Sequence, residues 1–338
     1  MLEKKRVLIT GGTGSFGQKF TEFLITNTSV GEIVVFSRDE FKQDVMSKRF
    51  PPDQYPIRYF LGDIRDKDRL MRAFIGVNYV VHAAALKQVP ALEANPTEAI
   101  NTNVIGVKNI IEAALERSVE KVIGISTDKA VGPINLYGAT KLVMEKLLTA
   151  ANTYTRYRDI TFCAVRYGNV AGSRGSVLPF FIALINKGVK ELPVTDERMT
   201  RFWITLDQGV ALVYNAMCNA GPGEIYVPKI PSVKVVELVK ALTDNHLYKI
   251  TGIRPGEKIH ETLIGEDEAR NTVDVGDSYI ILPQDGIRLK RRGHEELQPN
   301  LPPQFCYRSD TNDKWLNQSD LKTYLNETLK PYIEATYV

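Results

Sequence analysis

The sequence predicts an α/β fold: a doubly wound parallel sheet with a smaller C-terminal lobe. Short apolar runs alternate with helical patterns over residues 1–166, the rhythm of a parallel sheet with helices on both faces. A glycine-rich turn follows the first of those runs, and beyond residue 166 the alternation loosens into short strands, helices and prolines. The 338 residues suffice for one large or two intimate domains with ample core. Apolar residues at 43% and charged residues at 25% are ordinary globular values. A net charge of +3 is too slight to point to nucleic acid or to an anionic membrane surface.

Residues 6–10 (Arg-Val-Leu-Ile-Thr) form the first strand, and Gly11, Gly14 and Gly17 turn it into a helix reaching about residue 26. This Gly-x-x-Gly-x-x-Gly spacing lets backbone approach a pyrophosphate while a helix N-terminus faces the anion. Directly after a first strand, the turn is a strong signal for a Rossmann dinucleotide site. The second strand, 32–36, ends in Ser37-Arg38-Asp39. A serine followed by an arginine suits a ribose 2′-phosphate and so NADP, while the Asp39 carboxylate leaves NAD open. A third strand over 58–64 carries Asp63, placed either to bond an adenine or to cap a turn.

The fourth strand, 77–85, ends in three alanines that leave room for a cofactor against the backbone; its His82 reads as a core histidine. A single helical pattern follows over 97–117. The fifth strand, 121–126, leads into Thr127, Asp128 and Lys129, at the carboxyl end where open α/β sheets bind ligands. Tyr137 and Lys141 then lie four apart on one helix face. A phenol beside an ammonium makes a base, because the positive charge favours phenolate and lowers the tyrosine pKa. The sixth strand, 160–165, closes the dinucleotide-binding domain, expected to span 1–166. Residues 167–338 are expected to form the substrate-binding lobe, with part of 203–232 returning to the first domain.

The three cysteines, Cys163, Cys218 and Cys306, are too far apart in sequence for a disulfide framework or a Cys-x-x-Cys site, and the four histidines form no metal-ligand cluster. No signal-peptide core or membrane-length apolar run is present, so the reading is cytoplasmic and soluble. The basic run 288–292 reads as a solvated loop, with an oligomer contact as the alternative.

Thr10-Gly-Gly-Thr-Gly-x-x-Gly17, Asp63 and Tyr137-x-x-x-Lys141 resemble the extended short-chain dehydrogenase/reductases that act on nucleotide sugars. Ser126-Thr-Asp-Lys, Arg166-Tyr-Gly-Asn-Val, 172–177, Met199-Thr-Arg-Phe-Trp-Ile and 253–260 are similar, more narrowly, to soluble inverting UDP-N-acetylglucosamine 4,6-dehydratases. The likeness runs over nearly the whole chain and is weakest over 286–303. It implies NADP held by Gly11, Thr13, Gly14, Ser15, Phe16, Gly17, Ser37, Arg38, Asp39, Lys42, Asp63, Ile64, Ala83, Lys87, Tyr137, Lys141 and Val170. It implies substrate contacts from Lys87, Asn169, Arg174, Thr195, Arg201, Arg254 and Glu257. For the last two, bidentate pairing of an arginine with a diphosphate and acceptance of ribose hydroxyls make independent sense.

The reaction the resemblance implies is redox-neutral. Tyr137 takes the 4-hydroxyl proton as hydride leaves carbon 4. Lys129 is the base at carbon 5, Asp128 is the acid that releases the 6-hydroxyl as water, and the hydride returns to carbon 6. Thr127 and Lys141 complete the catalytic set. This needs a neutral amine beside a protonated carboxyl, and desolvation beside a cationic nicotinamide is expected to lower the lysine. It also needs the fifth strand to end at Thr127, since neighbouring strand residues point to opposite faces. A nucleotide-sugar epimerase or reductase would use Tyr137 and Lys141 without the acid–base pair, and a retaining dehydratase usually has Thr-Asp-Glu instead. A homo-oligomer, dimer or hexamer, is expected; the downstream sugar, pseudaminic acid or another, stays open.

Overall fold

The computed structural model describes residues 2–155, 159–173, 176–243, 247–284 and 297–325. The basic run at 288–292 lies outside them. Nine strands form the main sheet, in the order β14-β15-β10-β6-β5-β4-β1-β2-β3. β1 (Arg6–Thr10), β2 (Glu32–Ser37), β3 (Ile57–Leu61), β4 (Tyr79–His82), β5 (Lys121–Thr127), β6 (Thr161–Tyr167) and β10 (Ile225–Pro228) pair in parallel. Their sequences are near-continuous Val, Ile, Leu and Phe runs because both faces of the sheet are covered. β15 (Ser278–Ile281) then runs antiparallel to β10, and β14 (Thr272–Asp274) antiparallel to β15.

The order 3-2-1-4-5-6 reverses direction between β1 and β4, and a ligand crevice opens at such a switch point. Around the sheet lie α1 (Ser15–Asn27), α2 (Glu40–Arg49), α3 (Lys67–Ala73), α4 (Val89–Ala94), α5 (Pro96–Ile100), α6 (Gly106–Arg117), α7 (Leu136–Ala151) and α9 (Leu206–Asn219). α8 (Val177–Asn186) and α10 (Val235–Leu242) pack with β8 (Leu192–Val194) in the lobe, whose small core includes Phe181, Leu192, Val194 and Val239. Three small sheets complete it: β11 (Ser232–Lys234), β9 (Thr200–Ile204) and β7 (Asn169–Val170); β12 (Tyr248–Ile250) with β8; and β13 (Thr262–Ile264) with β16 (Tyr307–Arg308). The short α11 (Glu266–Ala269) lies between β13 and β14.

Three local expectations change. The single helix expected over 97–117 is broken by a wide π-turn, Asn101–Ile105, between α5 and α6. The cause is Asn103, buried there, whose side chain donates to the Leu86 carbonyl and accepts from the Leu86 amide, both at 2.9 Å. Helical periodicity carries no trace of such a side-chain clamp. The third strand ends at Leu61 and the fourth at His82, so Asp63 and the alanine run sit in the loops beyond the strand tips. His82 is buried, bonded through Nδ1 to the Thr10 hydroxyl at 2.8 Å, and burial pulls its pKa down to about 3.

Candidate active site

Gly11 has φ +66°, and a Cβ there would lie 2.9 Å from the Ala84 backbone; at Gly17 it would lie 2.5 Å from the Gly12 backbone. These positions therefore hold the turn tight against the loop after β4, and α1 tight against the turn after β1. Gly14 caps α1 without a side-chain hydrogen bond, and the first turn of the helix carries no acidic residue. Its amide donors are left for an anion, which is the fit a pyrophosphate requires. Ser37 and Arg38 follow at the end of β2. Asp39 is spent elsewhere: its carboxylate accepts from the Lys42 amide at 2.9 Å to cap α2, and pairs with the Lys42 ammonium at 2.5 Å. Asp63 faces the same cavity, but Arg65 clamps its carboxylate at 2.8 and 3.0 Å, with Arg38 at 3.9 Å. Burial pushes Asp63 up, yet the Arg65 hydrogen bonds and charge win and hold it below the usual carboxylate range.

Three cavities with shared walls run across the carboxyl ends of the strands. The first, about 300 Å³, is lined by Gly11, Thr13, Gly14, Ser37, Arg38, Asp39, Lys42, Asp63, Ile64 and Ala83. The second, about 450 Å³, shares Gly11, Gly14 and Ala83 with it and continues over Ser15, Phe16, Gly17, Thr127, Tyr137, Lys141 and Val170. Lys87, Lys129 and Asn169 belong to the second cavity and also to a third of about 430 Å³, which adds Thr195, Arg201, Arg254 and Glu257. The expected dinucleotide and sugar residues thus fall into contiguous chambers, with Lys129 at the junction. Arg174 lies outside the described residues.

β5 ends at Thr127, and Asp128–Ala130 form a 3-10 turn. The turn removes the strand alternation that would have sent Asp128 and Lys129 to opposite faces. Thr127 donates to Asp128 Oδ1 at 2.7 Å, and Lys129 Nζ donates to the same oxygen at 3.0 Å. The turn is pressed against α7: a Cβ on Gly138 would lie only 2.1 Å from the Lys129 carbonyl oxygen. Asn135 caps α7 by accepting from the Gly138 amide at 2.8 Å, and donates to the Gly256 carbonyl at 2.8 Å. Gly256, with φ +77°, belongs to the Arg254–Glu257 turn, so one asparagine fixes both α7 and a wall of the third cavity.

Two electrostatic expectations are reversed. Burial does oppose the Lys129 charge, but the carboxylates of Asp128, and of Glu261 at 3.3 Å, outweigh it and raise the lysine instead of lowering it. Asp128 is raised, chiefly by burial, as an acid requires. Tyr137 is pushed up to about 12 by burial, with Lys129 pulling the other way. Lys141 does not relieve it, because its ammonium donates to the Ile125 carbonyl at 2.7 Å; burial lowers Lys141 to about 8.

Sequence reasoning missed Glu261, Lys258 and the second bond of Asn135. A glutamate at the threshold of the apolar pair Leu263-Ile264 was the available signal for Glu261, but its partner Lys129 lies in the other half of the chain. Arg201 is buried and fixed by the Thr200 and Ile259 carbonyls at 2.7 and 3.0 Å, with Glu257 and Glu261 each at 3.6 Å.

A parallel sheet with a glycine turn at its switch point, and a Tyr-x-x-x-Lys helix over the neighbouring strand, is the arrangement that the resemblance to extended short-chain dehydrogenase/reductases implies. Comparison with known proteins narrows the class. Residues 7–283 match the family described as polysaccharide biosynthesis protein, and the chain belongs to that family. It is 46% identical over 335 residues to the UDP-N-acetylglucosamine 4,6-dehydratase (inverting) of Campylobacter jejuni serotype O:2, covering 97% of this chain and 99% of that one. It is 44% identical over 294 residues, 85% of each chain, to a protein of Rickettsia canadensis named UDP-glucose 4-epimerase. Among solved structures, Pen from Bacillus thuringiensis superposes with a TM-score of 0.87 at 35% identity, covering 97% of this chain and 98% of that chain. Among the described residues no helix is long and apolar enough to cross a membrane.

Proposed function

We propose that the protein is a 5-inverting UDP-N-acetylglucosamine 4,6-dehydratase that works with NADP. The observation carrying this reading is Lys129, partly exposed where the dinucleotide and sugar chambers meet, in a cavity that Tyr137 also lines, and paired at 3.0 Å with the fully buried Asp128 behind it. An epimerase has no use for such a pair. The near full-length similarity to the Campylobacter enzyme supports the same choice.

NADP, when bound, supplies a reversible hydride acceptor. The glycine turn and the α1 N-terminus would hold its pyrophosphate, and Ser37 and Arg38 its 2′-phosphate. Commitment of Asp39 to Lys42 and the α2 cap favours NADP over NAD. Tyr137 takes the 4-hydroxyl proton, with the Lys129 charge favouring phenolate against burial and the Asp128 carboxylate. Carbon 5, now next to a ketone, loses its proton to Lys129, and Asp128 protonates the departing 6-hydroxyl. The resting ion pair supplies both groups: one proton moving from Lys129 to Asp128 makes amine and acid together. After the amine has gained the carbon 5 proton and the acid has lost its own to water, the ion pair is restored. The carbon 5 proton is replaced from the opposite face by a second donor, either Tyr137, which holds the 4-hydroxyl proton, or a bound water.

Incubation with UDP-N-acetylglucosamine and no added reductant tests the reading. Loss of one water from the sugar is the expected result. An isomer of unchanged mass would favour the epimerase reading that the Rickettsia relative suggests.

A further inference from the structure

We propose that Glu261 is a positioning residue for water loss: a second buried carboxylate that sets the proton balance of the Asp128–Lys129 pair. The inference rests on the dehydratase reading. Glu261 is 2% exposed and sits immediately before β13. Its backbone is pinned to Ser309, whose hydroxyl accepts from the Glu261 amide and whose amide donates to the Glu261 carbonyl, both at 2.9 Å. Its Oε1 lies 3.3 Å from Lys129 Nζ and 3.6 Å from Arg201 Nε. Its Oε2 is buried without a partner, as is Oδ2 of Asp128.

One ammonium needs one carboxylate. Asp128 alone would neutralise Lys129, yet Glu261 stands nearer to that ammonium, at 3.3 Å, than to Arg201, at 3.6 Å, and a buried charge is costly unless it is used. Arg201 and Lys258 offset its charge, and the contact with Lys129 joins it to the pair. The groups facing this carboxylate are Lys129 and Asp128 from the turn after β5, Arg201 from β9 and Lys258 from its own loop; Tyr137 on α7 and Lys87 beyond β4 face Lys129. Among them Glu261 adds one negative charge that keeps a proton inside the Asp128–Lys129 pair. When the lysine gives up its proton, Asp128 is the nearest acceptor, and the Glu261 charge makes it a better one. The amine left behind can donate one N–H to Oε1, which turns its lone pair away from the glutamate. Glu261 touches no reacting atom; it acts through its two neighbours.

The sign of the test follows from the charge. Removing an anion weakens proton binding by both members of the pair, so both limbs of the pH profile for water loss move to lower pH. In Glu261→Gln the optimum should fall by about 1–3 units, the range for a neighbouring charge. The initial hydride step, which turns on Tyr137, should persist, so reduced nicotinamide should build up at neutral pH. Glu261→Asp, which keeps the charge, should keep the wild-type optimum even if slower. An unshifted optimum in Glu261→Gln overturns the proposal. So does a parallel loss of both steps in which Glu261→Asp fares no better, since that is a merely structural role. Should Glu261→Gln fail to fold, Arg201→Gln removes the competing cation and should move the optimum upward; an unshifted optimum there also overturns it. Failure of the wild-type protein to release water would instead sink the dehydratase reading.

Discussion

Asp128 and Lys129 are adjacent in sequence, the proposed function gives them opposite jobs, and only their surroundings separate them. Asp128 is fully buried with one oxygen taken by Thr127 and Lys129, while Lys129 reaches the cavity junction. Asp128→Asn should slow water loss by about 10²–10⁴-fold, the usual contribution of a positioned acid. The first oxidation should survive, so stopped-flow absorbance should show reduced cofactor accumulating. A variant that cannot reduce its cofactor would mean that Asp128 acts earlier. Arg38→Ala should weaken NADP binding by about 1.5–3 kcal/mol, the range for hydrogen bonds to charged groups. NAD binding, read by calorimetry, should be nearly unchanged; equal weakening of both would show that Arg38 does not read the 2′-phosphate. At this scale the motif residues were legible because they are contiguous or carry a fixed helical spacing. The upward shift of Lys129 was not, because Glu261, which only the fold brings near, adds to the effect of Asp128.

The element that makes this site is the single turn after β5, held by close contact with α7. Gly138→Ala puts a methyl where the Lys129 carbonyl oxygen lies 2.1 Å away. The turn or the helix must shift, at a cost of about 1–3 kcal/mol for overpacking. Thermal unfolding should show that loss, and water loss should fall more than cofactor binding does. A variant with full stability and full activity would show the turn to be free to move. The parallel strands were legible as apolar runs, and the fifth strand had to end at Thr127 for its chemistry to work. The π-turn at Asn101–Ile105 was invisible because apolar spacing continues through it. The antiparallel strands β14 and β15 were invisible for another reason: nothing local tells a three- or four-residue strand which distant edge it will join.

Arg166 on β6 joins α7 to the segment around β13 and α11. This residue, 1% exposed, holds Glu145 of α7 at 2.7 and 2.9 Å, Glu268 of α11 at 2.9 Å through both Nη1 and Nη2, and the Leu263 carbonyl at 2.9 Å. One guanidinium thus ties β6 and the catalytic helix to the segment that carries Glu261. Arg166→Leu strands two carboxylates and should cost about 3–5 kcal/mol. Burial pushes Glu268 up, but Arg166 outweighs it and holds that carboxyl below its ordinary range. Its stabilisation is therefore complete above the ordinary carboxylate pKa and fades as pH falls through the lower folded value. Urea melts across acidic pH should show the gap between wild type and variant narrowing in that direction; a constant gap would contradict the charge argument. The sequence marked Arg166 as part of a motif but not as a joint, since Glu145 and Glu268 look like surface glutamates until the fold closes over them. On the proposed function, Lys129 removes the carbon 5 proton on one face and its replacement arrives on the other. The direct measurement is NMR of the earliest product formed from UDP-N-acetylglucosamine in heavy water without added reductant. A 4-keto-6-deoxy sugar of L-arabino configuration with deuterium at carbon 5 is expected; a D-xylo first product, or a stoichiometric demand for NADPH, would contradict the inverting reaction.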